Sequence, residues 1–242
     1  MTNPTAARIQ DAAMARFAAQ GFDGTSLVEI ASDVGIKAPS IYAHFRSKDA
    51  LYLSLIPLLI QAELAYARDT LLKGRGAVRG RIRQYLRSIK LRFDESYRVK
   101  FWMRTLAGPP LHIYQQVLEP LHGFMDDLEG ILRTAIEQSE LLPNRHGLSA
   151  PVLARTCMSL IDSLQSELVH GGPLKYERRI KAVWAVFDAA VVAMPKAPPD
   201  VRAAGNAEAS EPGEPPARRS PAAGPATRPA ALVEDRGLTN ER

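Results

Sequence analysis

Between Lys37 and Lys48 the chain carries side chains that can all donate hydrogen bonds: Lys37, Ser40, Tyr42, His44 and Lys48. Ile41 and Phe45 lie among them four residues apart, so on a helix those two share the buried side and the donors are left on the free side. A helix packed into a core does not carry that set. Donors gathered on one exposed face suit an acceptor-rich surface, such as the base edges and phosphates of nucleic acid.

The elements that would hold these donors are legible just upstream. Ser26 followed by Glu29 has the spacing of a capping box, which predicts a helix over about Ser26–Val34. Leu27, Ile30, Ala31 and Val34 form its apolar face, and Gly35 supplies the sharp turn that ends it. Pro39 suits the first turn of a second helix, about Ala38–Phe45. Helix, glycine turn, helix is the layout of a helix-turn-helix whose second helix enters the major groove. Spacing alone also fits two short amphipathic helices of an ordinary all-α protein.

Residues 8–55 carry Ile9, Ala13, Phe17, Gly21-Phe22, Thr25, Ile30-Ala31, Gly35, Ile41-Tyr42, Phe45 and Ser47-Lys48 in order. This stretch resembles the DNA-binding domain of TetR-family transcriptional regulators. The resemblance implies an all-α protein: a three-helix DNA-binding domain over residues 1–47, then a larger helical domain over 48–194 that dimerises and takes up a small molecule. It further implies that Tyr42, His44 and Lys48 contact phosphates, that Lys37, Ala38 and Ser40 face base edges, and that Thr25 holds a phosphate at a helix start. Two positions depart from the family pattern. Lys37 stands where Ser or Thr is usual, which removes an N-cap worth about 1 kcal/mol, and Pro39 stands where Gly is frequent. Lysine can donate to guanine O6 and N7, so Lys37 becomes the leading candidate base reader.

The 242 residues are 46% hydrophobic, ample for a core, with a formal charge of +5 and a sequence pI of about 9.4. That balance permits a nucleic-acid partner without requiring one. Cys157 is the one cysteine, so no intrachain disulfide can form, and no metal-ligand spacing is present. It lies among apolar helical neighbours, as a buried inert thiol would. No leader segment or membrane-spanning run is expected, and the cytoplasm is the expected compartment.

Helices are expected over Thr5–Gln20, Lys48 to about Leu72, about Leu111 to Leu142 with a restart at Pro120, from Pro151 to Gly171-Gly172, and over Lys175–Met194. The Lys48 helix should bury Leu51, Leu55, Leu58, Leu59, Ala62 and Tyr66, and Pro57 gives it either a hinge or a fixed bend. Lys73 to Arg104 holds eleven basic residues against Asp94 and Glu95, around an apolar face of Val78, Ile82, Tyr85, Leu86, Ile89 and Phe93. A solvated face, attraction to DNA phosphates and an anionic ligand all fit that run. The aromatic stretch Tyr97–Tyr114 resembles the place where the ligand cavity begins in some family members. Its candidates are Tyr97, Phe101, Trp102, Met103, Arg104 and His112, with Phe124 beyond, and core packing is the alternative. Leu160, Leu164, Trp184, Phe187 and Val191 are candidates for a seam between subunits, the alternative being an intrachain core pair. Residues 195–242, rich in Pro, Ala and Gly, read as a disordered tail.

Together with these features, the resemblance implies a homodimeric repressor that binds a palindromic operator in double-stranded DNA and is released by a small-molecule effector. A regulator without ligand control and a helical protein-interaction module are the alternatives. An enzyme is not expected, because Cys157 lies mid-stripe and His112, His122, His146 and His170 lack metal-ligand spacing or a phosphate-cradling glycine loop. No cofactor or metal is expected.

Overall fold

A computed structural model describes residues 4–192 of the chain; the C-terminal stretch 195–242 lies outside the described residues. Among them the regular structure is helical: α1 Pro4–Gln20, α2 Leu27–Val34, α3 Ala38–Tyr42, α4 Lys48–Leu71, α5 Val78–Glu95, α6 Tyr97–Ala107, α7 Tyr114–Glu137, α8 Ala150–Ser166 and α9 Pro173–Ala190. A single 3₁₀ turn, Leu111–Ile113, precedes α7, and a π-helical turn, Glu167–Gly171, follows α8.

The helix starts are set by local chemistry. Ser26 accepts from the Glu29 backbone N–H while the Glu29 carboxylate accepts from the Ser26 backbone, a complete capping box. Gly35 closes α2 with φ +74°, and the Ile36 N–H reaches back to the Ala31 carbonyl. Ser47 caps α4 by accepting from Ala50 N–H. Lys37 is the N-cap of α3 but makes no side-chain cap bond, as the loss of a Ser or Thr there implies. That helix is shorter than expected and ends at Tyr42, although Phe45 N–H still bonds the Ile41 carbonyl.

Three expectations are revised in the body. Pro120 does not restart α7 but lies within it, because the 3₁₀ turn at Leu111–Ile113 takes up the irregularity first. In α4 the buried row is Leu51, Tyr52, Leu55, Ile56, Leu59, Glu63, Leu64, Ala67 and Leu71, while Leu58 and Ala62 are exposed. The true row includes a carboxylate, Glu63. Third, α4 is long and apolar enough to cross a membrane by length and composition, where no such run was expected. It packs against α1, α5 and α7 and serves as a core helix of this fold.

The first three helices are not an isolated head. Helix α1 lies along α6, so residues 4–47 and the body cohere as one unit. Phe101 of α6 stacks on Phe17 at 5.8 Å and meets Tyr52 edge-on at 5.1 Å, and the Tyr52 hydroxyl bonds Thr105 Oγ1 at 2.9 Å. One turn earlier, Asp11 of α1 accepts from both Tyr97 Oη, at 2.7 Å, and Arg98. Burial pulls the Asp11 carboxyl upward, but the bonds from Tyr97 and Arg98, with the Arg98 charge, outweigh it and hold the pKa below its usual value.

Two predictions follow from these contacts. Gly35→Ala should cost roughly 1 kcal/mol in urea unfolding, all of it conformational, because no atom lies within 4 Å of the added Cβ. The depressed Asp11 pKa means that its stabilisation is present above the unfolded carboxylate value and is lost as pH falls through the folded one. Wild type should therefore exceed Asp11→Asn by less than about 1 kcal/mol at pH 7, a screened pair, and the gap should close as the pH drops below about 4. A gap independent of pH in thermal melts would show that the tie is not ionic.

Candidate DNA interface and ligand cavity

The free face of α2–α3 is built by burying its other side. Ile30, Ala31, Val34 and Ile41 are in the core with Ile9, Ala13 and Phe17 of α1. Arg16 of α1 pairs with Asp33 at 2.6 Å and with Glu29 at 3.2 Å, fixing α2 from its outer side. Lys37, Pro39, Ser40 and Tyr42 are left exposed, Tyr42 at 59%. Arg46, which was not singled out from the sequence, is exposed just beyond them.

The other sequence candidates are placed differently. Ala38 is half-buried against the core and His44 is half-buried beside Phe45. Thr25 is only 2% exposed, and its hydroxyl donates to the Gly21 carbonyl at 2.8 Å. Lys48 Nζ donates to the carbonyls of Phe22, at 2.8 Å, and Thr25, at 3.0 Å, and lies 4.2 Å from the Phe22 ring centre. Two of its three protons are thus spent inside the protein. Thr25 and Lys48 fasten the loop from Gly21 to Ser26 onto the start of α4, so their structural role differs from the phosphate contact expected of them.

The cavity candidates divide into three groups. Phe101 and Arg104 line a space of about 450 Å³ that reaches Phe22, Pro109, Pro110 and His170. Met103 lines a neighbouring space of about 330 Å³ with Asp162 and His170. The remaining four are engaged elsewhere: Trp102 and Phe124 meet edge to face in the core at 4.9 Å, His112 bonds Asp49 at 2.9 Å, and Tyr97 bonds Asp11. A larger space, about 610 Å³, lies between α1, α4, α5 and the start of α6. Leu58, Leu59, Tyr66, Met14 and Val99 give it apolar walls, and Asp11, Glu63, Arg92, Glu95 and Arg98 are its charged groups. Glu63 pairs with Arg92, whose guanidinium lies 3.9 Å from the Tyr66 ring centre. Burial lifts the Glu63 carboxyl above its ordinary value, and the Arg92 charge and hydrogen bond offset this only in part.

The seam candidates require correction. Leu164, Phe187 and Val191 are buried within the protomer's own core, and Trp184 is covered by Arg83 at 5.6 Å and by Phe187. Leu160 is half-buried. The free apolar surface of these helices lies on another face: Val152 of α8, and Ala182, Ala185, Val186 and Ala189 of α9, with Val186 73% exposed. Three of the eleven residues of the basic run tie elements together: Arg79 to Asp188, Arg92 to Glu63 and Arg98 to Asp11. Cys157 is buried, and burial pushes its thiol up to about 12, as an inert thiol requires.

Comparison with known proteins bears on the same elements. Over 137 residues the chain is 30% identical to the HTH-type transcriptional regulator RutR of Escherichia coli K12, covering 55% of this chain and 58% of that protein's length. Over 45 residues it is 47% identical to IcaR of Staphylococcus aureus strain Newman, the negative transcriptional regulator of the biofilm operon icaADBC, covering 19% of this chain and 24% of IcaR. The fold matches the reduced form of NemR from E. coli with a TM-score of 0.63 at 16% identity, over 81% of this chain and all of that one. Residues 9–55, from α1 through the first turns of α4, match the bacterial regulatory proteins of the tetR family, about a fifth of the chain.

Proposed function

We propose that the chain is a transcriptional regulator that binds a palindromic operator as a homodimer, represses from it, and is released by a small-molecule effector. The observation that carries the reading is the α2–α3 pair, locked by the Ser26–Glu29 box and the Arg16 bridges, with Lys37, Ser40 and Tyr42 presented on its free face. Lys37 is the base reader, Tyr42 and Arg46 hold phosphates, and Thr25 and Lys48 keep the loop behind them in shape. RutR and IcaR are named as regulators of transcription, IcaR as a negative one, which supports repression. A helix-turn-helix reads a palindrome only in pairs, with reading helices roughly 34–36 Å apart. The exposed apolar face of α8 and α9, centred on Val186, is the seam we assign to that pairing. The cavities beside α6 supply the effector site, and differential affinity for two subunit arrangements is enough to couple effector to operator. Such a protein works in the cytoplasm and needs no cofactor or catalysis.

Selection from a random duplex library at two salt concentrations tests the reading. A palindrome should emerge for wild type, and Lys37→Ala should relax one position by about 1–3 kcal/mol of discrimination. Lys48→Ala should lower the thermal melt as well as the affinity, because it unfastens the loop from Gly21 to Ser26. Failure to enrich any sequence, with binding that vanishes as salt rises, would overturn base reading. Val186→Glu should shift the protein from dimer to monomer in sedimentation and abolish operator binding without unfolding it; an unchanged dimer would place the seam elsewhere.

A further inference from the structure

The charges around the 610 Å³ cavity do not cancel. Arg92 is engaged by Glu63 Oε1 and by the Tyr66 ring, and Arg98 by Asp11. Both guanidiniums are therefore neutralised within the protein. Glu63 lines the cavity, and its Oε2 accepts no hydrogen bond among the described residues. Glu95, at the same wall, makes no ion pair among the described residues. Glu63 and Asp11 are spent in the same ties, so the charge left over is the single negative one on exposed Glu95, while Glu63, only 8% exposed, keeps one oxygen without a donor. A buried carboxylate oxygen with an open position gains most from a cationic donor, since burial already disfavours its charge. The rest of the lining is apolar, and the volume falls within the roughly 300–1,000 Å³ of small-molecule sites.

We infer that this cavity binds an apolar molecule bearing one protonated nitrogen, which donates to Glu63 Oε2 while its hydrocarbon body lies against Leu58, Leu59, Met14 and Val99. The inference rests on the effector reading only for its consequence, the release of DNA. Because α1 forms one wall, a molecule seated there touches the reading helices' own support.

Calorimetric titration of the full chain with 2-(1-naphthyl)ethylammonium and with 1-naphthylacetate compares one ring system carrying opposite charges. The ammonium should bind at least about tenfold more tightly, some 1.4 kcal/mol. Glu63→Gln should remove that preference. Ala62→Trp, at an exposed position on the cavity rim, should abolish binding of either compound, and it decides the matter if Glu63→Gln does not fold. Equal or tighter binding of the carboxylate overturns the proposal, as does undiminished ammonium binding by folded Ala62→Trp. Operator affinity measured in the same mixtures separates the two claims. Ammonium that binds in the cavity but leaves DNA affinity unchanged sustains this site and sinks the release reading. Release that persists in Ala62→Trp does the reverse.

Discussion

The contact on which the rest depends is the aromatic joint between α1, α4 and α6. Phe17, Phe22, Tyr52 and Phe101 lie with ring centres 5.1 to 5.8 Å apart, in stacked and edge-on pairs, and the Tyr52–Thr105 hydrogen bond satisfies the one buried hydroxyl among them. Such pairs contribute about 0.5–1.5 kcal/mol each beyond the area they bury. Their geometry is also directional, so α6 cannot slide along α1 without breaking several at once. The helix that supports the α2–α3 pair is therefore held by α6 of the body as well as by its own neighbours.

The basic run acquires its meaning from that joint. Read along the chain, Lys73 to Arg104 is a charge excess that fits a solvated face, DNA phosphates or an anionic ligand alike. In the fold its long side chains reach sideways: Arg98 across to α1, Arg92 to α4, Arg79 to α9, and Arg83 over Trp184. Arginine suits this use because its stem lies along apolar surface while its planar head finds a carboxylate. Surface pairs of this kind contribute little stability one by one. Their effect lies in setting which turn of one helix faces which turn of the next. The partly buried Arg92–Glu63 pair differs, since neither group could stay charged there alone.

Much of this was legible in the sequence, and the failures have specific causes. The Ser26–Glu29 spacing, Gly35 and the Ile41 register are local signals, and both helices they predict are present, α2 with its caps and α3 shorter and without a side-chain cap. The buried row of α4 was misread because a hydrophobic count skips Glu63, although Leu59, Glu63 and Ala67 continue one face at four-residue steps. A carboxylate on such a face is itself the signal of a partner or a cavity. Three of the five seam candidates are placed differently for the opposite reason. Leu164, Phe187 and Val191 are buried in the protomer's own core, where apolar side chains at helical spacing go first. The exposed face is made of Ala and Val, which a search for bulk overlooks. Thr25 and Lys48 look like any surface donors in sequence, and only the fold brings the Gly21, Phe22 and Thr25 carbonyls to them.

These placements constrain how any effector signal could travel. Helix α6 grips α1 at two levels, ionic at Asp11 and aromatic at Phe17, and a cavity opens beside each: the 610 Å³ space near Arg98 and the 450 Å³ space near Phe101. A molecule in either space bears on both helices together. The ionic level is half-exposed and is made by flexible side chains, whereas the aromatic level is buried and close-packed. Filling the first can reorganise side chains at modest cost, while filling the second must displace rings from one another. The Asp11–Arg98 level is thus the yielding end of the grip and the Phe17–Phe101 level its pivot. A tilt of α1 about that pivot would carry α2 and α3 with it, because the Arg16 bridges and the shared core of Ile9, Ala13, Ile30 and Ile41 join the three helices.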